Sequence, residues 1–337
     1  MSFLANPAVD PEAVPPASAE ARAFHVSLEG YEPTPLHDLP GFDIARVAVK
    51  DESHRLGLPA FKVLGASWAL ERALCEKPDL QAVVAASAGN HGRAVAHVAA
   101  QRGLPARVYL PARSAQARRD AIAAEDAEVV VVDGSYEDAV QRAARDGEQP
   151  GVLLLSDVGG SGPPEWVIDG YATLFSEIAA QGEFDVVIVP AGVGSLTAAA
   201  ARFGAANGVT VIAAEPATAA CLTASLAAGR PTRVDTPGTT MAGLDCAEVS
   251  PAAWPSLLAG IHGTVTVTDD EAHAAMRELA AAGFAIGESG AAPLAALHSL
   301  AGTLDPASRV VLIATEGPTD PAAYERVLAS AGAAGDG

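Results

Sequence analysis

Lys62 carries the clearest chemical potential in the chain, in the run Ala60-Phe61-Lys62-Val63-Leu64-Gly65. An amine held against apolar walls tends to lose its proton, and a neutral amine condenses with an aldehyde. Taken alone, such a lysine is more simply a solvated helix position with its stem packed. Two later segments change the balance. Ser87-Ala-Gly-Asn-His-Gly92 and Gly192-Val-Gly-Ser-Leu196 each fall where a strand should give way to a helix. In the first, small residues let a flat ring approach the backbone, and Asn90 offers an amide donor; an ordinary helix cap is the competing reading. In the second, Gly192, Val193, Gly194, Ser195 and Leu196 can wrap an anion with backbone N–H groups at a helix start. This loop lacks both the Gly-Lys-Ser/Thr of a nucleoside-triphosphate loop and the GxGxxG of a dinucleotide fold. A third loop, Leu312-Ile-Ala-Thr-Glu-Gly-Pro-Thr-Asp320, puts Thr315 at a strand terminus, where its hydroxyl can point into the same crevice. The plainer alternative there is a turn around Gly317-Pro318 with Glu316 and Asp320 solvated.

The elements that must position these loops follow a repeating rhythm. Strands are expected near 45–50, 81–86, 106–110, 128–132, 152–156, 185–189, 209–214 and 310–314. Helices are expected near 66–75, 90–102, 115–125, 136–145, 168–180, 196–206 and 270–282. Short β-branched runs without alternation, separated by alanine-rich helices, indicate parallel strands covered on both faces. The expected fold class is therefore α/β, with right-handed βαβ crossovers and ligand loops beyond the carboxyl ends of the strands. No internal repeat or low-complexity linker marks a boundary. The expected division is a larger domain from 1–77 and 171–337, with a smaller nested domain at 78–170 and the site in the cleft between them.

Composition limits the partners. The chain has 337 residues, half of them apolar, with 21 Lys+Arg against 41 Asp+Glu and a formal net charge of −20. That charge opposes nucleic acid and anionic membrane, and obliges any anionic cofactor to find local donors. The three cysteines, Cys75, Cys221 and Cys246, are odd in number with no CxxC pair. They read as reduced, which suits the cytoplasm. The first twenty residues lack a basic stretch followed by an apolar core, so no secretory signal is expected. No metal-ligand spacing is evident.

The order of these parts resembles the tryptophan-synthase-β-like family of pyridoxal-phosphate enzymes (fold type II) from about residue 30 to 325, and within it the diaminopropionate ammonia-lyases. The resemblance rests on Lys50-Asp-Glu-Ser-His-Arg-Leu-Gly57 with Ala60-Phe-Lys-Val-Leu-Gly65, Gly89-Asn-His-Gly-Arg93, Gly170-Tyr-Ala-Thr173, Met241-Ala-Gly-Leu244 and Thr315-Glu-Gly317 with Thr319-Asp-Pro321. It implies a two-domain fold in which Lys62 carries pyridoxal 5'-phosphate and Phe61 lies against the ring. By the same likeness Asn90 meets the ring hydroxyl, Gly192 to Leu196 hold the phosphate, and Thr315 meets the ring nitrogen. Asp157 matches an acid that serves those lyases as base toward the L-substrate. Where they place a second aspartate, used for the D-isomer, this chain has Ala88. The implied activity is α,β-elimination of a small amino acid to pyruvate and ammonia by a homodimer. A serine/threonine dehydratase, a β-replacement synthase and a non-catalytic ligand-binding protein stay open beside it.

Overall fold

The computed structural model describes residues 2–87, 89–300 and 302–330. Runs of valine, isoleucine and alanine form strands covered on both faces, as in Val186–Pro190, where every residue is buried. In chain order the strands are β1 (Ser2–Ala5), β2 (Leu36–Asp38), β3 (Arg46–Asp51), β4 (Ala82–Ala86), β5 (Ala106–Pro111) and β6 (Glu128–Val132). They continue with β7 (Val152–Leu154), β8 (Val186–Pro190), β9 (Thr210–Pro216), β10 (Gly263–Val267) and β11 (Arg309–Ala314).

These strands form two sheets among the described residues. The larger has seven strands in the order β1-β10-β9-β8-β11-β3-β2, and the smaller has four in the order β6-β5-β4-β7. The smaller sheet is parallel throughout. The interior of the larger is parallel too, while its edges β1 and β2 pair antiparallel. All the strands of the smaller sheet fall between residues 82 and 154. The helix Pro163–Gln181 runs across the expected boundary at 170/171 and packs against Lys62–Glu76. Apolar side chains fill both faces of the larger sheet in separate clusters, and a smaller cluster of Val84, Tyr109, Ala139 and Ala143 backs the smaller sheet.

Every expected strand is present with ends shifted by a few residues, whereas β1, β2 and β10 were not anticipated. The first two are short edge strands whose pairing depends on distant neighbours. The helix expected from Ala66 begins at Lys62 instead, with Phe61 at the cap position and no side-chain cap. Lys62 therefore opens its helix. Among the described residues no helix is long and apolar enough to cross a membrane.

Candidate active site

Lys62 owes its place to two tight approaches. Thr315 to Gly317 run back along Pro59 to Phe61: Phe61 N donates to Thr315 O at 3.2 Å and Gly317 N to Pro59 O at 3.0 Å. Ala60 and Glu316 form a bridge between these donors. The loop after β11 is thus tied to the residues just before the lysine. On the other side, helix Lys62–Glu76 lies against helix Pro163–Gln181 through Gly65 and Gly170. A Cβ on Gly170 would stand 2.5 Å from Leu64 O, and one on Gly65 would stand 2.7 Å from the Tyr171 ring. Only glycine permits that contact, which accounts for the Gly170-Tyr171 segment physically.

Beneath the site, the Lys50–Gly57 motif builds a buried charge network. Lys50 Nζ contacts Glu177 Oε2 at 2.7 Å, and Arg55 Nη1 contacts Glu177 Oε1 at 2.7 Å while its Nε donates to Glu52 Oε2 at 2.9 Å. Thr34 O and Gln181 Oε1 take the remaining Lys50 hydrogens at 2.8 and 2.9 Å. Two cations face two carboxylates, so the cluster is neutral as a whole and each charge is hydrogen-bonded. The motif holds the chain that delivers Lys62, and its Glu52 N donates to Ala314 O at 2.8 Å, just before the loop that carries Thr315 and Glu316.

Lys62 Nζ meets Asp157 Oδ2 at 2.8 Å, with side-chain exposures of 18% and 17%. Burial, and the positive end of the helix that Lys62 opens, both favour the neutral amine. The Asp157 charge and hydrogen bond outweigh them and hold the lysine well above its ordinary value. This corrects the expectation from the apolar neighbours, which anticipated a lysine that had shed its proton. The nearest walls are indeed aromatic, with Nζ 5.3 Å from the Phe61 ring centre and 5.9 Å from that of Tyr171. Asp157 mirrors the shift: burial acts to raise its carboxyl, but the Lys62 charge and hydrogen bond bring it well below the usual carboxylate range. His91 Nε2 bonds Leu155 O at 3.0 Å, and burial lowers its pKa, so the ring is neutral with its Nδ1 lone pair free. That lone pair lies 3.8 Å from Asp157 Oδ2, which leaves Lys62 as the true counter-cation.

The loops converge on this pair with two changes of detail. Gly194 has φ +92, and Ser195–Asn207 is the helix it caps. A Cβ at Gly194 would meet Leu257 Cδ1 at 2.6 Å, so glycine is required on both counts. The first N–H groups of that helix have no intrahelical acceptor, as an anion site needs. Ser195 is buried and donates its hydroxyl to Asp157 O at 2.9 Å, so it ties the glycine loop to the acid instead of offering a free donor. Val193 O accepts from Ser250 N at 2.8 Å, Gly192 packs beside Gly243 and Cys246, and Leu196 is buried. Asn90 opens helix Asn90–Gln101, and its Nδ2 donates to Glu316 Oε2. Glu316 is only 7% exposed and so is not the solvated turn residue of the plainer reading, while Asp320 caps helix Pro321–Ala329 by accepting from Ala323 N; Thr315 is buried too, at 4%. Ala88 lies outside the described residues.

His91, Tyr171 and Glu316 are the site neighbours that sequence reasoning did not single out. Tyr171 carries a buried hydroxyl with no hydrogen-bond partner, beside the lysine. His91 was in view as part of Gly89-Asn-His-Gly, but its burial against Asp157 was not. Among the described residues no group of three or more His, Cys, Asp or Glu could hold a metal ion.

The arrangement has counterparts among known proteins. Residues 28–316 match the model of the family described as pyridoxal-phosphate dependent enzyme. The diaminopropionate ammonia-lyase of Salmonella typhimurium is 34% identical, across 92% of this chain and 91% of its own. A biosynthetic L-threonine dehydratase of Escherichia coli is 31% identical over 76% of this chain and 51% of its own. The crystal structure of Escherichia coli diaminopropionate ammonia-lyase, in complex with an aminoacrylate-PLP azomethine reaction intermediate, superposes with a TM-score of 0.88 at 32% identity. That match covers 98% of this chain and 97% of the other. With a family match spanning most of its length and the lysine, glycine loop and acid gathered in one site, the chain belongs to the pyridoxal-phosphate-dependent enzymes.

Proposed function

We propose that the protein catalyses α,β-elimination of L-2,3-diaminopropionate, with water, to pyruvate and ammonia. The observation that carries this is the Lys62–Asp157 pair, set between aromatic walls and a helix-start glycine loop. The names of the relatives support it. The residues fit pyridoxal 5'-phosphate. A primary amine stands beside an acid, and unpaired N–H groups at the start of Ser195–Asn207 suit a phosphate. Lys62 would hold the cofactor's aldehyde carbon, Gly192 to Leu196 its phosphate, Asn90 its ring hydroxyl and Thr315 its ring nitrogen, with Phe61 against the ring. Bound there, the cofactor supplies an electron sink for the electrons left at Cα.

The chain's own groups orient the substrate and move protons. Asp157 is anionic and faces a cation in this structure, so it suits a substrate bearing a protonated amine at Cβ. Whenever Lys62 is neutral, Asp157 loses its principal counter-charge, and burial then raises its basicity. It becomes a stronger base for the Cα proton at the moment the lysine is engaged elsewhere.

A serine/threonine dehydratase is the second reading, favoured by the threonine dehydratase relative. Loss of hydroxide needs a proton donor at Cβ, whereas an ammonium group leaves as neutral ammonia. Initial rates of pyruvate or 2-oxobutyrate and ammonia release from L-diaminopropionate, L-serine and L-threonine separate the two. A kcat/KM for diaminopropionate at least tenfold above the others supports the lyase; the reverse order overturns it. We also propose a nested domain within the stretch 78–170, ending before helix Pro163–Gln181, because β4 to β7 all fall between residues 82 and 154. The free thiols suit a cytoplasmic setting. Phe3, exposed on edge strand β1, suits a homodimer, which sedimentation equilibrium tests.

A further inference from the structure

We propose that Glu316 is a positioning residue that fixes the orientation of the Asn90 carboxamide, taking one amide hydrogen so that the other is aimed at the cofactor's ring hydroxyl. This rests on the reading that Asn90 meets that hydroxyl. An asparagine amide turned over by half a rotation has almost the same shape but presents an acceptor where it had a donor. Its orientation must therefore be imposed by a neighbour. Glu316 Oε2 accepts from Asn90 Nδ2, and the carboxyl is 7% exposed, so water does not compete for the bond. A carboxyl oxygen that carries no proton only accepts, as Oε2 does here, which selects the nitrogen of Asn90 over its oxygen. The amide nitrogen has two hydrogens, and the one not taken is left for the ring.

Glu316 is itself firmly held. Its carbonyl accepts from Gly287 N at 3.0 Å, and its backbone bridges Ala60, two positions before Lys62. Ser289 accepts from Gly243 N at 3.2 Å through its hydroxyl oxygen, and its own O–H favours the Glu316 carboxylate. Burial pushes that carboxyl up and Glu288 adds to it, while Ser289, Asn90 and Arg118 act the other way. Position in the fold gives the contact its consequence. Asn90 follows β4 of the smaller sheet and Glu316 follows β11 of the larger, so the bond spans the gap between the two sheets. Thr315, the residue proposed for the ring nitrogen, is next in the chain to Glu316. On the pyridine ring, nitrogen and hydroxyl-bearing carbon are separated by a single carbon, so one short segment can serve the first through Thr315 and steer the Asn90 contact to the second through Glu316. The plainer role is a buried carboxylate that stabilises the loop alone.

A double-mutant cycle on cofactor binding distinguishes the two roles. Protein stripped of cofactor is titrated with pyridoxal 5'-phosphate, reading the dissociation constant together with the absorbance and circular dichroism of the bound chromophore. The proteins are wild type, Asn90→Ala, Glu316→Ala, Glu316→Gln and Asn90→Ala/Glu316→Ala. Glu316→Ala should weaken binding on the order of tenfold, as for loss of one charge-assisted hydrogen bond, and shift the band. Glu316→Gln keeps the volume but offers a donor as well as an acceptor, so it no longer imposes one orientation and should fall between wild type and Glu316→Ala in affinity. In the Asn90→Ala background, Glu316→Ala should add nothing. If Asn90→Ala weakens binding but Glu316→Ala leaves affinity and band untouched, or if the two losses add in full, the positioning role is overturned and the Asn90 reading stands. If Asn90→Ala itself changes neither affinity nor band, the Asn90 reading fails and takes the proposal with it.

Discussion

Lys62 and Asp157 are 95 positions apart in the chain, yet Nζ and Oδ2 lie 2.8 Å from each other. Each side chain titrates under the other's influence: the acid holds the amine protonated, and the amine holds the acid ionised. Capture of an aldehyde requires the neutral amine, so this pair sets the pH at which cofactor-free protein takes up its cofactor. In Asp157→Asn the opposing charge is gone, burial prevails, and the Lys62 pKa falls. The rate of cofactor uptake against pH, followed by absorbance in stopped flow, should move to lower pH in Asp157→Asn. A profile superimposable on wild type would show that the ion pair does not govern the amine.

Lys62→Ala should abolish the borohydride-reducible adduct and all turnover while leaving the far-ultraviolet circular dichroism unchanged. The rival lysines are poorly placed. Lys50 is fully buried against Glu177 with its hydrogens taken, and Lys77 follows the far end of the helix that Lys62 opens. Peptide mapping of the reduced wild-type protein decides the matter, since an adduct on any lysine but Lys62 rejects the assignment.

Phosphate binding can be separated from ring binding by comparing pyridoxal 5'-phosphate with pyridoxal. Gly194 combines a left-handed backbone with a Cβ position 2.6 Å from Leu257, so Gly194→Ala must displace the loop. Affinity for the phosphate ester should fall at least tenfold, and that for pyridoxal much less, since only the ester uses the helix-start N–H groups. Equal losses for both would place the phosphate elsewhere.

What was legible in the sequence was local. The glycine loop and the Ser87–Gly92 turn announce themselves by small residues at strand-to-helix junctions, and the α/β rhythm follows from short apolar runs. What was not legible depended on distance. Nothing near Lys62 in the chain reveals Asp157, so apolar neighbours alone suggested a neutral amine. Glu316 looked solvated because a carboxylate beside Gly317-Pro318 usually is; its burial arises from Asn90 and Ser289, contributed by two remote segments. The Lys50–Gly57 motif matched a family pattern without disclosing its role, because Glu177, which both Lys50 and Arg55 grip, lies more than a hundred residues away. The helix start at Lys62 was missed because Phe61 provides no side-chain cap.

His25 makes a stability prediction with a defined pH window. It is buried between helices, with Nε2 bonded to Leu64 O at 3.0 Å and Nδ1 accepting from Thr173 at 2.7 Å. Burial lowers its pKa from 6.5 to about 4. The unfolded chain therefore binds a proton that the folded chain refuses between these values. Stability is full above pH 6.5, declines as pH falls toward 4, and the decline from this group then ends. Its steepest slope is about 1.4 kcal/mol per pH unit. Urea unfolding of cofactor-free wild type and His25→Gln across this window should show the slope reduced in the variant; parallel curves would reject His25 as its source.

The last prediction concerns stereochemistry. Two acids on opposite faces of the substrate would allow either isomer to lose its Cα proton, but at the position before Gly89-Asn-His this chain has Ala88, and a methyl group takes no proton. Asp157 is ionised and within hydrogen-bond distance of Lys62. The protein should therefore turn over L-diaminopropionate in strong preference to the D-isomer. Asp157→Asn should lower kcat on the L-isomer on the order of 10²-fold or more, as for loss of a general base. The competing assignment makes Lys62 the base and leaves Asp157 to orient it. It predicts a variant that keeps substantial kcat with a shifted pH profile, because lowering the lysine's pKa makes more of it available as a base at neutral pH. Since the same substitution should ease cofactor uptake at neutral pH, a fall in turnover cannot be blamed on an empty site once cofactor content is matched. Initial rates on both isomers for wild type and Asp157→Asn decide the question: comparable D-turnover in wild type removes the stereochemical argument, and undiminished L-turnover in the variant removes Asp157 from proton transfer.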